Sequence, residues 1–286
     1  MKSCDVFPAH PVSSTYNLYD ADWSALQPGA SVYVPGSAIP NFQRYVLDEI
    51  KVPIILVSGD CDETIAGDIF MTERMQQNFI EHPAIVHWFS QNLVTKHPKC
   101  TQIPIGMDFH SLTNAQSHKW GEGMPPPAQE EAIKSIAAGA PAWSERSPLA
   151  YCNFQFRLDS RFDDDRRTAM SRMDPTALHI APAFVPREQT WSDQSGYAFV
   201  ISPHGNGLDC HRTWEALALG CVPIMRHSPV DPLFEGLPVV LVDDWADVTA
   251  PFMKTLYENP PPLARPERLT RDFWVKLIRE KQRLFS

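Results

Sequence analysis

Between Val200 and Met225 the chain reads VISPHGNGLDCHRTWEALALGCVPIM, an order of residue types that spells strand, glycine-rich turn, helix, strand. The apolar strand runs from Tyr197 to Ile201. Pro203, Gly205, Asn206 and Gly207 end it, each a turn former, with the glycines free to take positive φ. Asp209 suits the N-cap of the helix that follows, because its carboxylate can accept the first unpaired amides. That helix spans Cys210 to about Leu219, Gly220 and Pro223 supply its stop, and Cys221–Met225 forms the next strand.

A helix that opens behind such a turn presents free N–H groups and the positive end of its dipole, which favours phosphate. Spacings of three and four put His211, Arg212 and Glu215 on one polar edge, opposite Trp214, Leu217 and Ala218. Arg212 is placed to neutralise a diphosphate. Glu215, one turn deeper, suits the hydroxyls of a ribose. The alternative is an ordinary amphipathic helix with a surface Arg212–Glu215 pair. Cys210 stands where the Rossmann fingerprint has its third glycine, which argues against a dehydrogenase.

Residues 202–224, SPHGNGLDCHRTWEALALGCVPI, resemble the signature of the exostosin-like glycosyltransferases: serine-proline, a glycine pair, Asp-Cys-His-Arg, Trp-Glu and Gly-Cys-x-Pro, in this order. Looser likeness extends through YCNFQFR at Tyr151–Arg157, VSGDCDET at Val57–Thr64 and IPIGMDFH at Ile103–His110. The resemblance implies an α/β fold of GT-B type, with two Rossmann-like domains whose parallel sheets face a central cleft. It also implies a UDP-sugar donor held by the C-terminal domain and transfer to a glycan hydroxyl with inversion. The resemblance is more to the short soluble members from algae, bacteria and large algal viruses, so neither a membrane anchor nor a second catalytic domain is expected. These members make UDP-xylose the first donor to consider.

Composition sets outer bounds. With 286 residues, 43% hydrophobic and 21% charged, the chain suits two globular domains of ordinary size. A net charge of −9 argues against a nucleic-acid surface, which needs clustered Lys and Arg. No run approaches the roughly 18 apolar residues of a membrane span, and the opening MKSCDVFPAHPVSS has no apolar core of signal-peptide length, so none is expected. Cysteines at 4, 61, 100, 152, 210 and 221 fit neither a zinc motif nor a disulfide framework, so a reducing, cytoplasmic setting is expected. The 27 prolines, about twice the usual share of about 5%, predict many loops.

Strands are expected at Ser31–Val34, Pro53–Val57, Ala84–Phe89 and Gln102–Ile105. A helix at Asn41–Ile50 would carry Phe42, Tyr45, Val46 and Ile50 on one face. Alternating strands and helices indicate parallel sheets. The texture changes at 121–147, read as the connection between domain 1–147 and domain 148–286, with a short helix from about Gln129 to Ala138. The second domain should open with a strand at Leu149–Phe156 and a helix at Asp163–Arg172, whose Asp163–Arg167 pair marks a solvated face. Leu237–Val242 is a further strand. The last helix, Glu267–Leu284, with Leu269, Phe273, Leu277, Ile278 and Leu284 along one side, would pack back on the first domain.

Ligands of open parallel sheets bind beyond the carboxyl ends of the strands. That rule selects Arg157 and Arg161 for the diphosphate, and Ser202, His204, Gly205, Asn206 and Gly207 beside His211, Arg212 and Glu215 for the donor. Inverting transfer needs one general base. Asp60 and Asp62 come first, with Asp108 and His110 behind them. No metal is required on this reading. Two alternatives remain: a metal-dependent GT-A-type enzyme using Asp60-Cys61-Asp62, and a non-catalytic nucleotide- or glycan-binding module.

Overall fold

Runs of aliphatic and β-branched residues set two parallel sheets in this computed structural model, which describes residues 2–10, 12, 14–65, 67–113, 117–154, 161–181, 185–263 and 267–285. In the first sheet, β1 (Ala30–Pro35), β2 (Ile54–Gly59), β3 (Ile85–Ser90) and β4 (Cys100–Gln102) lie side by side in chain order. Helices α1 (Ile39–Tyr45) and α2 (Glu73–Ile80) make the first two crossovers. Val32, Val34, Ile54, Leu56 and Trp88 meet Phe42 and Phe79 on one face, while Tyr33, Ile55, Val57 and Phe89 fill the other. A parallel sheet covered on both sides requires such continuous apolar strands.

Between the sheets come α3 (His110–Thr113), a small hairpin of β5 (Ser117–His118) and β6 (Gly121–Glu122), and α4 (Pro126–Ala138). The second sheet contains β7 (Ser147–Cys152), β8 (Leu178–Ile180), β9 (Tyr197–Ile201), β10 (Val222–Arg226) and β11 (Val240–Val242), all parallel, in the order β11-β10-β9-β7-β8. Its helices are α5 (Asp163–Arg172), α6 (Arg187–Ser195), α7 (His211–Ala218) and α8 (Ala250–Glu258). From β7 the chain steps to one neighbour, β8, then returns past β7 to β9. The carboxyl ends of β7 and β9 therefore flank a topological switch point, where an open sheet leaves a crevice for ligand. The first sheet, being sequential, has none.

The last helix, α9 (Arg271–Gln282), lies across the first sheet. Ile278 is buried with Ile55, Val57 and Phe89, Arg279 pairs with Asp5 at 2.9 Å, and Gln282 donates to the Gly29 carbonyl at 2.8 Å. Leu284, expected on its apolar side, is exposed. No helix among the described residues is long and apolar enough to cross a membrane.

Several boundaries differ from the sequence reading. Pro40 starts α1 early and the helix stops at Tyr45, before a 3-10 turn over Leu47–Glu49; Tyr45 is exposed, off the face that buries Phe42, Val46 and Ile50. β4 runs Cys100–Gln102 and so ends at the first residue of the stretch read as Gln102–Ile105, because the Ile105 amide is drawn out of the sheet to Asp209 at 2.7 Å. β11 begins only at Val240, since Leu237 packs with Phe234 instead. Helix α4 is more than a spacer: Ile133 is buried with Tyr151, Trp191 and Val200 in the second unit's core.

Candidate functional site

β9 delivers the chain to the crevice at Ser202, and α7 starts after Cys210. Its far end closes with a Schellman motif: Gly220 takes φ 75°, Cys221 N–H bonds the Ala216 carbonyl at 2.9 Å, and Gly220 N–H bonds Leu217 at 3.1 Å. The buried Arg146 adds bonds to the carbonyls of Leu219 at 3.1 Å and Gly220 at 2.9 Å. At the near end the expected Asp209 cap does not form. Cys210 occupies the N-cap without a side-chain bond to the helix. Asp209 is buried, accepts the Ile105 amide and Trp214 Nε1, both at 2.7 Å, and its carboxyl is pushed up to about 7 by burial. The amides of His211 and Arg212 meet no acceptor among the described residues, so the helix keeps unpaired donors at its tip.

The turn glycines work differently from the sequence expectation. Neither Gly205 nor Gly207 takes positive φ. Both are buried and touch protein closely: a Cβ on Gly205 would stand 2.6 Å from Arg166 Nη2, and one on Gly207 would stand 2.7 Å from Asn92 Nδ2 and 3.3 Å from the Asp62 carbonyl. Arg166 reaches the turn from α5 and donates to the His204 carbonyl at 3.1 Å. Burial, and next the charge of Arg212, weaken its hold on a proton, so two guanidiniums stand near each other here. Arg212 donates to the Pro203 carbonyl at 3.2 Å and lies 5.7 Å from the Phe154 ring, at the carboxyl end of β7. Ser202 is buried and bonded to Thr213 at 2.8 Å. His204 is a buried brace, its Nδ1 on the Leu208 carbonyl at 2.8 Å and its amide on Asp165 at 2.9 Å. Asn206 is exposed.

A second cluster stands on the other side of the α7 tip. The loop after β4 carries Asp108, which is buried, with Arg187 Nη2 at 2.7 Å, His110 Nδ1 at 2.9 Å and the Ser111 amide at 3.0 Å. Burial opposes its charge, but the His110 hydrogen bond and the Arg187 guanidinium outweigh it and hold the carboxyl well below the usual range. The same bond to Asp108 raises His110 above its ordinary 6.5. His211 places Nδ1 2.8 Å from the Gly106 carbonyl, and its ring centroid lies 5.6 Å from that of His110. Arg187, at the start of α6, also lies 4.7 Å from the Trp120 ring and 3.7 Å from Glu215 Oε1. Glu215 accepts Trp191 Nε1 at 3.1 Å on Oε2, whereas its buried Oε1 has no hydrogen-bond partner among the described residues. Glu215 and Arg212 thus engage different partners, Trp191 and Arg187 for the one and Ser202 and Pro203 for the other, and no salt bridge forms between them.

The predicted residues therefore fall into two adjoining groups: Ser202, His204, Gly205 and Arg212 around Arg166, and Asp108, His110, His211 and Glu215 around Arg187. Asp60, held at φ 59° with its amide on Gln91 at 3.0 Å, lies close enough for its charge to act on His110. Asp62 is exposed and offers its carbonyl to Arg161 at 3.1 Å; Arg161 also pairs with Asp68, so it ties the two units together at the surface. Arg157 lies outside the described residues. One ligand atom each from Asp108, His110 and His211 falls within 4.8 Å of the others, a grouping that excludes the Asp60–Asp62 pair.

Sequence reading missed Arg166, Asp165 and Arg187. Arg166 and Asp165 sit inside the run Asp163–Arg167, whose outer pair at 2.9 Å does make a solvated face. One turn position inward, Asp165 is buried and bonds Trp245 Nε1 at 2.8 Å. The signal for Arg187 was faint: a Pro-Arg opening a helix directly after a loop. No protein-family model and no curated protein matches this chain.

Proposed function

We propose that this chain is a glycosyltransferase of GT-B type, akin to the exostosin-like enzymes, that moves a sugar from a UDP-sugar to a glycan hydroxyl with inversion. One observation carries the reading: the unpaired amide tip of α7, flanked by Arg212, stands at the switch point of the second sheet, beside a His110 oriented by Asp108 from the first unit. A diphosphate needs cationic and N–H donors where charge develops as it departs, and this tip offers both. Inverting attack needs a base across from it.

In this scheme His110 Nε2 takes the proton from the acceptor hydroxyl. That oxygen attacks the anomeric carbon, the bond to the diphosphate oxygen breaks, and the negative charge passes onto the phosphate. The His211 and Arg212 amides and the Arg212 guanidinium stabilise it, with Arg166 adding positive potential behind Gly205. Asp108 keeps the His110 proton on Nδ1, so that Nε2 faces the reaction. Glu215 serves the ribose, because Oε1 is an acceptor without a hydrogen bond among the described residues. Asp60 gives His110 a favourable electrostatic setting in place of being the base itself.

UDP should raise the melting temperature of the chain, and UDP-xylose, tested first, should be consumed with release of UDP in the presence of a glycoside acceptor. Arg212→Ala should lower turnover roughly 10²–10³-fold, and Glu215→Ala should weaken UDP binding. Stabilisation by UDP with no transfer and no donor hydrolysis for any nucleotide sugar would instead mark a binding module.

A further inference from the structure

We infer that a transition-metal site shared by both units lies beside the tip of α7, with His110 from the loop after β4 and His211 from α7 as ligands and Asp108 behind them. The orientation of the two rings carries it. Gly106 offers a carbonyl to His211 Nδ1 at 2.8 Å, and a carbonyl only accepts, so the proton sits on Nδ1. Asp108 does the same for His110 at 2.9 Å. Each imidazole is therefore left with Nε2 as its free ring nitrogen, and the two rings stand 5.6 Å apart by centroid at 50°. Histidines that bind metals are fixed in this way, through a second ring N–H donated to a carboxylate or a backbone carbonyl.

The surroundings favour a cation. Asp60, Asp108 and Glu215 gather near the pair, and the Arg187 guanidinium is engaged by Asp108 Oδ2 and by the Trp120 ring. The His110 side chain is 49% exposed, which leaves a path for the ion. Imidazole donors select Zn²⁺, Ni²⁺ or Cu²⁺ over Mg²⁺ and Ca²⁺, which prefer oxygen ligands. One ligand atom each from Asp108, His110 and His211 already falls within 4.8 Å of the others. The metal so bound would occupy the His110 Nε2 lone pair and join the two units, and zinc would inhibit transfer. That last consequence rests on the transferase reading; the site does not.

The test is calorimetric titration of the full chain, freed of metal by chelator, with ZnCl₂ and separately with MgCl₂. One Zn²⁺ should bind per chain and Mg²⁺ should give no saturable heat. His110→Asn and His211→Asn should each weaken Zn²⁺ binding roughly tenfold or more, while His227→Asn, an exposed histidine paired with Asp231, should leave it unchanged. Cobalt loading gives a second readout: visible bands present in the parent chain and lost in both variants, whose folding is checked by circular dichroism. Absence of saturable zinc binding, or binding that survives both substitutions, overturns the site. UDP titration on the same preparation separates the two readings, since zinc binding without UDP binding would sink only the transferase assignment, and the reverse only the metal site.

Discussion

Asp108 concentrates the chemistry of single residues in this protein. It is reached by a guanidinium, an imidazole and an amide while buried, so its charge is strongly held and its geometry fixed. If it orients His110 for proton transfer, Asp108→Asn removes rate without removing the donor site. Turnover should then fall roughly 10²–10⁴-fold while UDP affinity stays nearly constant. Kinetic constants and UDP titration on one variant check this, and unchanged turnover or lost UDP binding would contradict it. Asp108 and His110 were visible in the sequence as residues following a strand, but only as reserves behind Asp60 and Asp62. What ranked them was Arg187, 79 residues further along the chain. Periodicity and motif spacing carry no information about such a partner. Asp209 makes the same point in reverse: local chemistry named it a helix cap, and a contact to Ile105, 104 residues away, took it elsewhere.

At the scale of elements, the strand–turn–helix–strand unit was the most legible part of the chain, because its signals are local. Gly220 and Pro223 ended α7 where stop signals should, and the Schellman bonds show why. The turn itself was misread in mechanism: its glycines answer to close approach of other side chains, with φ playing no part. A contrast between them follows. Gly205→Ala meets chiefly Arg166 Nη2, the tip of a long side chain that can shift by a few tenths of an ångström while Nε keeps the His204 carbonyl, so the loss of stability should be the smaller of the two. Gly207→Ala meets Asn92 Nδ2 and the Asp62 backbone, and Asn92 is pinned by the Asp209 amide at 2.9 Å. It should cost about 1–3 kcal/mol. Chemical denaturation of both variants checks the order, and a larger loss at Gly205 would contradict it.

For the whole molecule, the sequence disclosed two parallel sheets through buried, β-branched runs, yet strand order within them was invisible. The switch point that gives the second sheet its crevice depends on β8 and β9 choosing opposite sides of β7, a decision made by packing. The chain is also tied end to end by α9 and Asp5. Burial opposes the Asp5 charge, but bonds from Ser31, Arg279 and Gln282 prevail and lower its carboxyl from 3.8 to about 2. A lowered carboxyl contributes stability above its unfolded value and loses it as pH falls through the folded one. Asp5→Asn should therefore cost about 1 kcal/mol near neutrality, after allowance for solvent screening. The two proteins should converge in stability as pH drops toward about 2. Equal stability at neutral pH would show that Asp5 does not hold α9 in place.

The central claim, that the tip of α7 grips a nucleotide's diphosphate, is tested most directly by a crystal structure of the chain with UDP. The diphosphate should lie within hydrogen-bond distance of the His211 and Arg212 amides and the Arg212 guanidinium, with the ribose toward Glu215. UDP bound away from the β7–β9 crevice, or touching neither Arg212 nor the helix amides, would contradict the account.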